Sequence, residues 1–376
     1  MSLESYVTDL MKKEAPSGMD RMVLSLLEKL ESVYLSQAEK KKKEGLLQAV
    51  SVSVPVVSVG NVTAGGTGKT PCIILLAGLL LKAGKRPAIL SRGYRSGLEK
   101  EGGMVSDGKD IQVSQQMAGD EPYMMALKLP GVPIFVGKDR VASAKKAIAH
   151  GADILLLDDG FQYWKLKREK DIILIDCTNP FGYGHALPRG LLREPLSALA
   201  RASLLILTKS EQVHHTDKAE IKERLEQLAP GIPILESSHS PSLVVPYGKW
   251  KKSIHEGPLD DVKMKKAFLL SGIGNPAAFQ ETAREAGLRP AGEMAFPDHH
   301  SYTEEDVRNA ISEAKAKGAE LIVMTEKDAV KMMKLTSLEK SEVPFAVLEI
   351  EMTIQGGTGK LEEILFPRPS LPVWKK

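Results

Sequence analysis

Between residues 19 and 44 apolar side chains recur at three- and four-residue intervals, at Met22, Val23, Leu26, Leu27, Leu30, Val33 and Tyr34. That spacing predicts one amphipathic helix, ending in the run Lys40-Lys41-Lys42-Lys43. Such a stripe suits either packing on the body of the protein or lying on an anionic membrane surface. Residues 1–50 hold eight basic and eight acidic side chains, so attraction to a membrane would rest on the stripe and the local lysine run. From residue 51 the pattern changes to short β-branched runs alternating with helical stretches, the signature of a parallel sheet flanked by helices. Strands are predicted at Val56–Val59, Ala88–Leu90, Ile134–Val136, Ile154–Leu157, Ile172–Ile175, Leu204–Leu207 and Ile232–Leu235. Helices fit between them at Pro71–Lys82, Pro122–Leu129, Asp139–His150 and Lys218–Leu228. Residues 236–262 are rich in Ser, Pro, Gly and Lys without a period and read as a linker or hinge. A second α/β pattern follows, with strands at Ala267–Leu270, Leu321–Met324 and Phe345–Ile350 and helices at Pro276–Ala286 and Glu304–Lys317. The expected organisation is an N-terminal helical segment (1–50), a core (51–235), a linker (236–262) and a smaller C-terminal α/β domain (263–376).

Composition narrows the class without naming a chemistry. The 376 residues are 43% hydrophobic and 26% charged, the balance of an ordinary globular protein rather than a disordered or disulfide-stapled one. A net charge of +3 on so long a chain makes no demand for nucleic acid as a partner. Cys72 and Cys177 sit in apolar contexts and are expected as buried thiols in a reducing compartment. The longest apolar run, Cys72 to Leu81, is closed by Lys82 and is shorter than the roughly 20 residues a spanning helix needs. The opening Met-Ser-Leu-Glu-Ser lacks the basic-then-apolar order of a secretory signal, so the protein is expected to stay inside the cell.

The sharpest chemical signal is the predicted strand Val56–Val59 running through Gly60-Asn61-Val62 into Thr63-Ala64-Gly65-Gly66-Thr67-Gly68-Lys69-Thr70 and a helix. Glycines let backbone N–H groups turn onto phosphate oxygens, a lysine at Lys69 reaches the β- and γ-phosphates, and the Thr70 hydroxyl suits Mg²⁺. Thr63 stands where the usual pattern has its first glycine. Asp158-Asp159 close the apolar run Ile154–Leu157, the placement of a carboxylate that holds Mg²⁺ beside such a loop. The fold class expected is therefore α/β with a P-loop NTPase core. Ala64 occupies the place of the extra lysine of partitioning-type ATPases, which argues against a lysine-bridged dimer. Thr208-Lys209-Ser210-Glu211 lacks the Asn and Asp of a guanine-reading loop. Asp120-Glu121-Pro122 and Phe296-Pro297-Asp298-His299-His300 each precede a predicted helix and are, from the residues alone, equally helix caps or proton-handling groups.

Taken together the motifs resemble the tetraacyldisaccharide 4′-kinase family of lipid A synthesis. The segments that carry the resemblance are Ser58-Val59-Gly60-Asn61 into Gly65-Gly66-Thr67-Gly68-Lys69-Thr70-Pro71, Leu90-Ser91-Arg92-Gly93-Tyr94, Gly119-Asp120-Glu121-Pro122, and Asp158-Asp159-Gly160-Phe161-Gln162. Leu187-Pro188-Arg189-Gly190-Leu191-Leu192-Arg193-Glu194-Pro195, Phe296-Pro297-Asp298-His299-His300 and Thr325-Glu326-Lys327-Asp328-Ala329 complete it, in the family's order. Two departures stand out: Tyr163 where the family usually has His, and Phe181-Gly182-Tyr183-Gly184 where it has Phe-Gly-Asn-Gly.

The resemblance implies transfer of the ATP γ-phosphate to the 4′-hydroxyl of a tetraacyldisaccharide 1-phosphate. It implies a peripheral enzyme on the cytosolic face of the bacterial inner membrane, with its N-terminal helix resting there. Asp120 would accept the sugar proton with help from His299 or His300, and closure of the hinge would bring that histidine to it. Glu121 would be a carboxylate at or beside the metal. Arg193 and Arg92 are candidates for offsetting phosphate charge. A phosphate-loop switch or chaperone-type NTPase acting on a protein partner would share the loop and the Mg²⁺ carboxylates but would not need a proton acceptor.

Overall fold

Alternating strands and helices are what the computed structural model contains over the residues it describes, 3–11, 13, 17–298 and 300–365. In chain order these are α1 (Leu3–Met11), α2 (Gly18–Leu47), β1 (Val56–Gly60), α3 (Lys69–Lys82), β2 (Pro87–Ser91), β3 (Gly103–Asp107), α4 (Gln115–Ala118), α5 (Asp120–Lys128), β4 (Pro133–Val136), α6 (Arg140–Ala149), β5 (Ile154–Asp158) and β6 (Lys170–Asp176). They continue with β7 (Leu204–Thr208), α7 (His215–Leu228), β8 (Ile234–Pro246), α8 (Tyr247–Trp250), β9 (Lys266–Ser271), α9 (Pro276–Glu285), β10 (Arg289–Ala295), α10 (Glu304–Ala316), β11 (Leu321–Thr325), α11 (Glu326–Lys331), β12 (Phe345–Ile354) and α12 (Gly359–Leu365). The chain folds as two compact units, one from Met1–Lys69, Ile154–Ser238 and Ile354–Lys376, the other from Thr70–Asp153 and His239–Thr353.

In the first unit the strands lie in the order β8-β7-β6-β1-β5, every neighbour parallel. All residues of β1, β5 and β7 are buried, as expected of parallel strands covered on both faces. Helix α2 begins at a capping box in which Ser17 and Asp20 exchange hydrogen bonds. Tyr6 and Lys13 also donate to Asp20, and these bonds hold its carboxyl well below the usual carboxylate range. The apolar stripe expected along α2 divides in two. Leu27 is buried and Tyr34 and Leu35 pack on the core of this unit, whereas Met19, Met22, Leu26, Leu30 and Val33 remain exposed.

In the second unit β2 and β4 are parallel and β3 joins β4 antiparallel, while β10-β9-β11-β12 form a parallel set followed by the later part of β8. Met124 and Leu127 of α5 share one core with Phe268, Leu270, Ile322, Met324 and Val347. Contacts thus group residues 70–153 with the C-terminal strands, a division that differs from the expected 51–235 and 263–376. Residues 236–262, expected as a linker, hold most of β8, then α8, with Trp250 fully buried and the Tyr247 hydroxyl donating to Met332 O at 3.2 Å. Their polar composition reflects the half-buried middle of β8 rather than the lack of a fold. Strands β3 and β10, which the pattern missed, are outermost in the strand order, where short or polar sequence suffices because only one side is paired.

Candidate functional site

The phosphate-loop side lies within the first unit. Strand β1 delivers Asn61, fully buried, whose side-chain N–H donates to Thr63 O at 2.6 Å. The loop is strapped by residues 191–193: Ala64 N–H donates to Leu191 O at 2.6 Å and Arg193 N–H to Val62 O at 2.7 Å. Gly65 and Gly68 have φ of +116° and +87°, conformations that a side chain would strain. A Cβ on Gly65 or Gly66 would meet no atom within 4 Å, so the loop surface is open there. The Thr67 hydroxyl is buried with no hydrogen-bond partner among the described residues, while Thr67 O accepts from the Thr208 hydroxyl at 3.1 Å. An orphaned donor on an open glycine loop fits a phosphate ligand.

Lys69 opens α3, and its Nζ donates to Asn61 Oδ1 at 3.3 Å and lies 3.6 Å from Asp159 Oδ1. Asp159 leaves β5 in a left-handed turn (φ +48°) and accepts from Arg193 through both oxygens, at 2.9 and 3.0 Å. Asp158 is buried at the end of β5. Thr70 follows Lys69 in the first turn of α3 and is also buried. Arg193 therefore neutralises Asp159 here. Behind the loop, Gln162 donates to Asn61 O at 3.1 Å and to Glu194 Oε1 at 2.9 Å. Glu194 takes Arg201 at 3.0 and 3.2 Å, and that guanidinium stacks over Phe161 and Trp164 at 4.2 and 4.5 Å.

The acidic side lies within the second unit. Gly119, with φ of +90°, turns the chain so that Asp120 and Glu121 open α5. Asp120 accepts from the Gln115 side chain, and Glu121 pairs with Lys327 Nζ at 2.7 Å. Desolvation opposes the Lys327 charge, but Glu121, Asp298 and Asp120 outweigh it and raise its pKa. Glu121 is thus the ion-pair partner of Lys327, whose charge Asp298 and Asp120 also favour. His300 stacks on Phe296 with ring centroids 4.2 Å apart, and its Nε2 is 3.1 Å from Asp306 Oδ2, in the capping box of α10. Its ring is thus joined to a helix start, and His299 lies outside the described residues. Arg92 donates to Glu99 at 2.6 Å and covers Tyr94, an arrangement internal to its own loop.

Lys327 was visible only as one letter of a motif; nothing in its spacing from residue 121 announces the pair. Asn61, Gln162, Glu194 and Thr208 likewise carry no signal of a role in the sequence, although each supports the loop. Among the described residues no cluster of three His, Cys, Asp or Glu side chains forms a self-contained metal site.

A profile of the tetraacyldisaccharide-1-P 4′-kinase family (LpxK) matches residues 21–368. The chain is 38% identical over 366 residues to a tetraacyldisaccharide 4′-kinase of Halothermothrix orenii, covering 94% of this chain and 95% of that protein. It is 42% identical over 289 residues to one from an Anaeromyxobacter species, covering 77% and 76%. The crystal structure of LpxK from Aquifex aeolicus in complex with ATP superposes with a TM-score of 0.72 at 28% identity, over 92% of this chain and 99% of that one. With a phosphate loop and an acid cluster in their expected positions along the same sequence, the chain belongs to the tetraacyldisaccharide 4′-kinase family, the ATP-dependent kinases of lipid A synthesis.

Proposed function

We propose that the chain phosphorylates the 4′-hydroxyl of a tetraacyldisaccharide 1-phosphate with ATP, using the residues described above in distinct roles. The observation that carries the reading is Lys69 held between Asn61 and Asp159 beside an open glycine loop. Phosphoryl transfer is mostly positioning and charge neutralisation. The loop from Thr63 to Thr70 would cradle the phosphates, with Lys69 on the β- and γ-oxygens and Arg193 turning from Asp159 to the developing charge. Mg²⁺, held by Thr70, Asp158 and Asp159, would neutralise phosphate charge. Glu121 is the weaker metal ligand, because an ion would compete with Lys327 for it. Asp120 would take the proton of the 4′-hydroxyl as its oxygen bonds to the γ-phosphorus and the bridging oxygen leaves on ADP. His299 or His300 would assist by holding Asp120 ionised; for His300 this requires leaving Asp306.

The acceptor's acyl chains place it in a bilayer, and no described helix is long and apolar enough to cross one. We infer that α2 meets the cytosolic face of the inner membrane. Its row Met19, Met22, Leu26, Leu30 and Val33 is 46–69% exposed, a continuous apolar face of the kind that marks an interaction surface. Lys40, Lys41 and Lys43 are exposed farther along the same helix, where anionic headgroups would attract them. The test of the reaction is ATP consumption with and without the lipid acceptor. Stoichiometric lipid phosphorylation is expected, and turnover indifferent to the lipid would favour a switch NTPase instead.

A further inference from the structure

The second unit buries four ionisable groups that the reaction above does not use. Lys128, in the last turn of α5, lies 2.7 Å from Glu326 Oε1 of α11 and 3.4 Å from Glu349 Oε2 of β12, with side-chain exposures of 11%, 8% and 4%. His255 adds the fourth: Nδ1 is 2.6 Å from Glu349 Oε1 and Nε2 is 3.0 Å from Leu127 O. A carbonyl oxygen only accepts, so Nε2 carries a hydrogen; an ionised carboxylate only accepts, so Nδ1 carries one too. Both ring nitrogens face acceptors, which is the geometry of an imidazolium. Charge counting agrees. Burial pushes the Glu326 pKa up and Lys128 opposes it; with both carboxylates ionised, two glutamates and one lysine leave one negative charge, which a protonated His255 matches. Leu127 O is also an orphan of the helix end, because the Gly131 N–H that would complete the turn donates to Gly108 O instead. A cation there meets the negative end of α5.

We propose that protonated His255, acting through Glu349 and Leu127, is a positioning residue that locks α5 and so holds Asp120, at the other end of the same helix, in register for proton acceptance. The proposal rests on the reading of Asp120 given above. The groups facing His255 are Glu349 from β12 and Lys128 and Leu127 O from α5, with Glu326 of α11 on the far side of Lys128. The Glu349 hydrogen bond raises the His255 pKa against the opposing effect of burial. Burial opposes the Glu349 charge, but His255 and Lys128 hold its carboxyl below the usual range. A group whose pKa is raised on folding contributes fully below its unfolded value, and the contribution is lost as pH rises through the folded one. The lock is therefore complete below the ordinary histidine pKa and opens as pH rises through the raised one.

The test uses the full-length protein. The His255 ring, followed by NMR, is expected to titrate above an ordinary histidine, and in Glu349→Gln to titrate lower than in the wild type. The alkaline limb of kcat should move down with it while KM for ATP stays unchanged, and amide exchange in α5 should quicken over the same pH interval. A wild-type ring titrating at or below the ordinary value overturns the proposal, as does a folded Glu349→Gln with an unmoved limb. If Glu349→Gln does not fold, the wild-type ring titration and α5 exchange decide alone. If Asp120→Ala keeps its turnover, the base assignment fails, whereas ring titration and α5 exchange still judge the lock.

Discussion

The two ends of the candidate chemistry are built in different ways. Around Lys69 the parts come mainly from contiguous sequence: the loop of residues 61–69 shapes itself through glycine conformations and the Asn61–Thr63 bond, and the strap at 191–193 fastens it through backbone hydrogen bonds. Around Asp120 only part is local: Gln115 and Glu121 are sequence neighbours of Asp120, whereas Lys327 and Asp298 come from far along the chain and act through side-chain charge. A site made of backbone tolerates change behind it as long as the loop keeps its shape. A site made of charge pairs depends on each partner and on the helices that carry them.

The first way to test that contrast is Lys69→Ala. Turnover should fall about 10³-fold with the fold retained, because the side chain meets the reacting phosphates rather than a core. Near-normal turnover in a folded variant would remove the phosphate-loop reading. Asp120→Ala should lower kcat by about 10²-fold or more with nucleotide affinity unchanged, as measured by equilibrium nucleotide binding. Collapse of binding would move Asp120 to the metal side and erase the contrast. Behind the loop, Glu194→Ala leaves Arg201 stacked and partly buried without its carboxylate. A stability loss of about 3 kcal/mol in denaturant unfolding is expected. On the acidic side Lys327→Met should cost less than about 1 kcal/mol, since the Glu121 pair is half exposed, while kcat drops several-fold. A large stability loss with unchanged kcat would make that pair a structural one. The smallest effect is expected far from both ends. Replacing Lys40, Lys41, Lys42 and Lys43 with Gln should weaken binding to anionic vesicles and flatten its salt dependence, with unchanged turnover on detergent-solubilised lipid. Co-sedimentation across salt concentrations measures it, and an unaltered salt response would leave α2 as an ordinary helix of the first unit.

The sequence by itself determined the parts whose signals are local. Buried parallel strands read as unbroken apolar runs, so β1, β5 and β7 were placed within a residue or two, and the glycine loop announced its helix at Lys69. The burial of Cys72 and Cys177 followed from their apolar neighbours. What the sequence did not show were features whose signal is neither periodic nor a compact motif. Beyond its start, which falls in the strand expected at Ile232–Leu235, β8 looked like a linker because its middle is half buried and polar, and β3 and β10 were missed because strands at the end of the order need little apolar sequence. The grouping of α5 with the C-terminal strands, the division of the α2 stripe into a packed and an exposed face, the pairing of Glu121 with Lys327, and the burial of Lys128 between two glutamates with His255 beyond were decided only in three dimensions. The reason is physical. Backbone propensity and hydrophobic periodicity act over a few residues, whereas charge pairing and core sharing act between any residues that folding brings within a few ångströms.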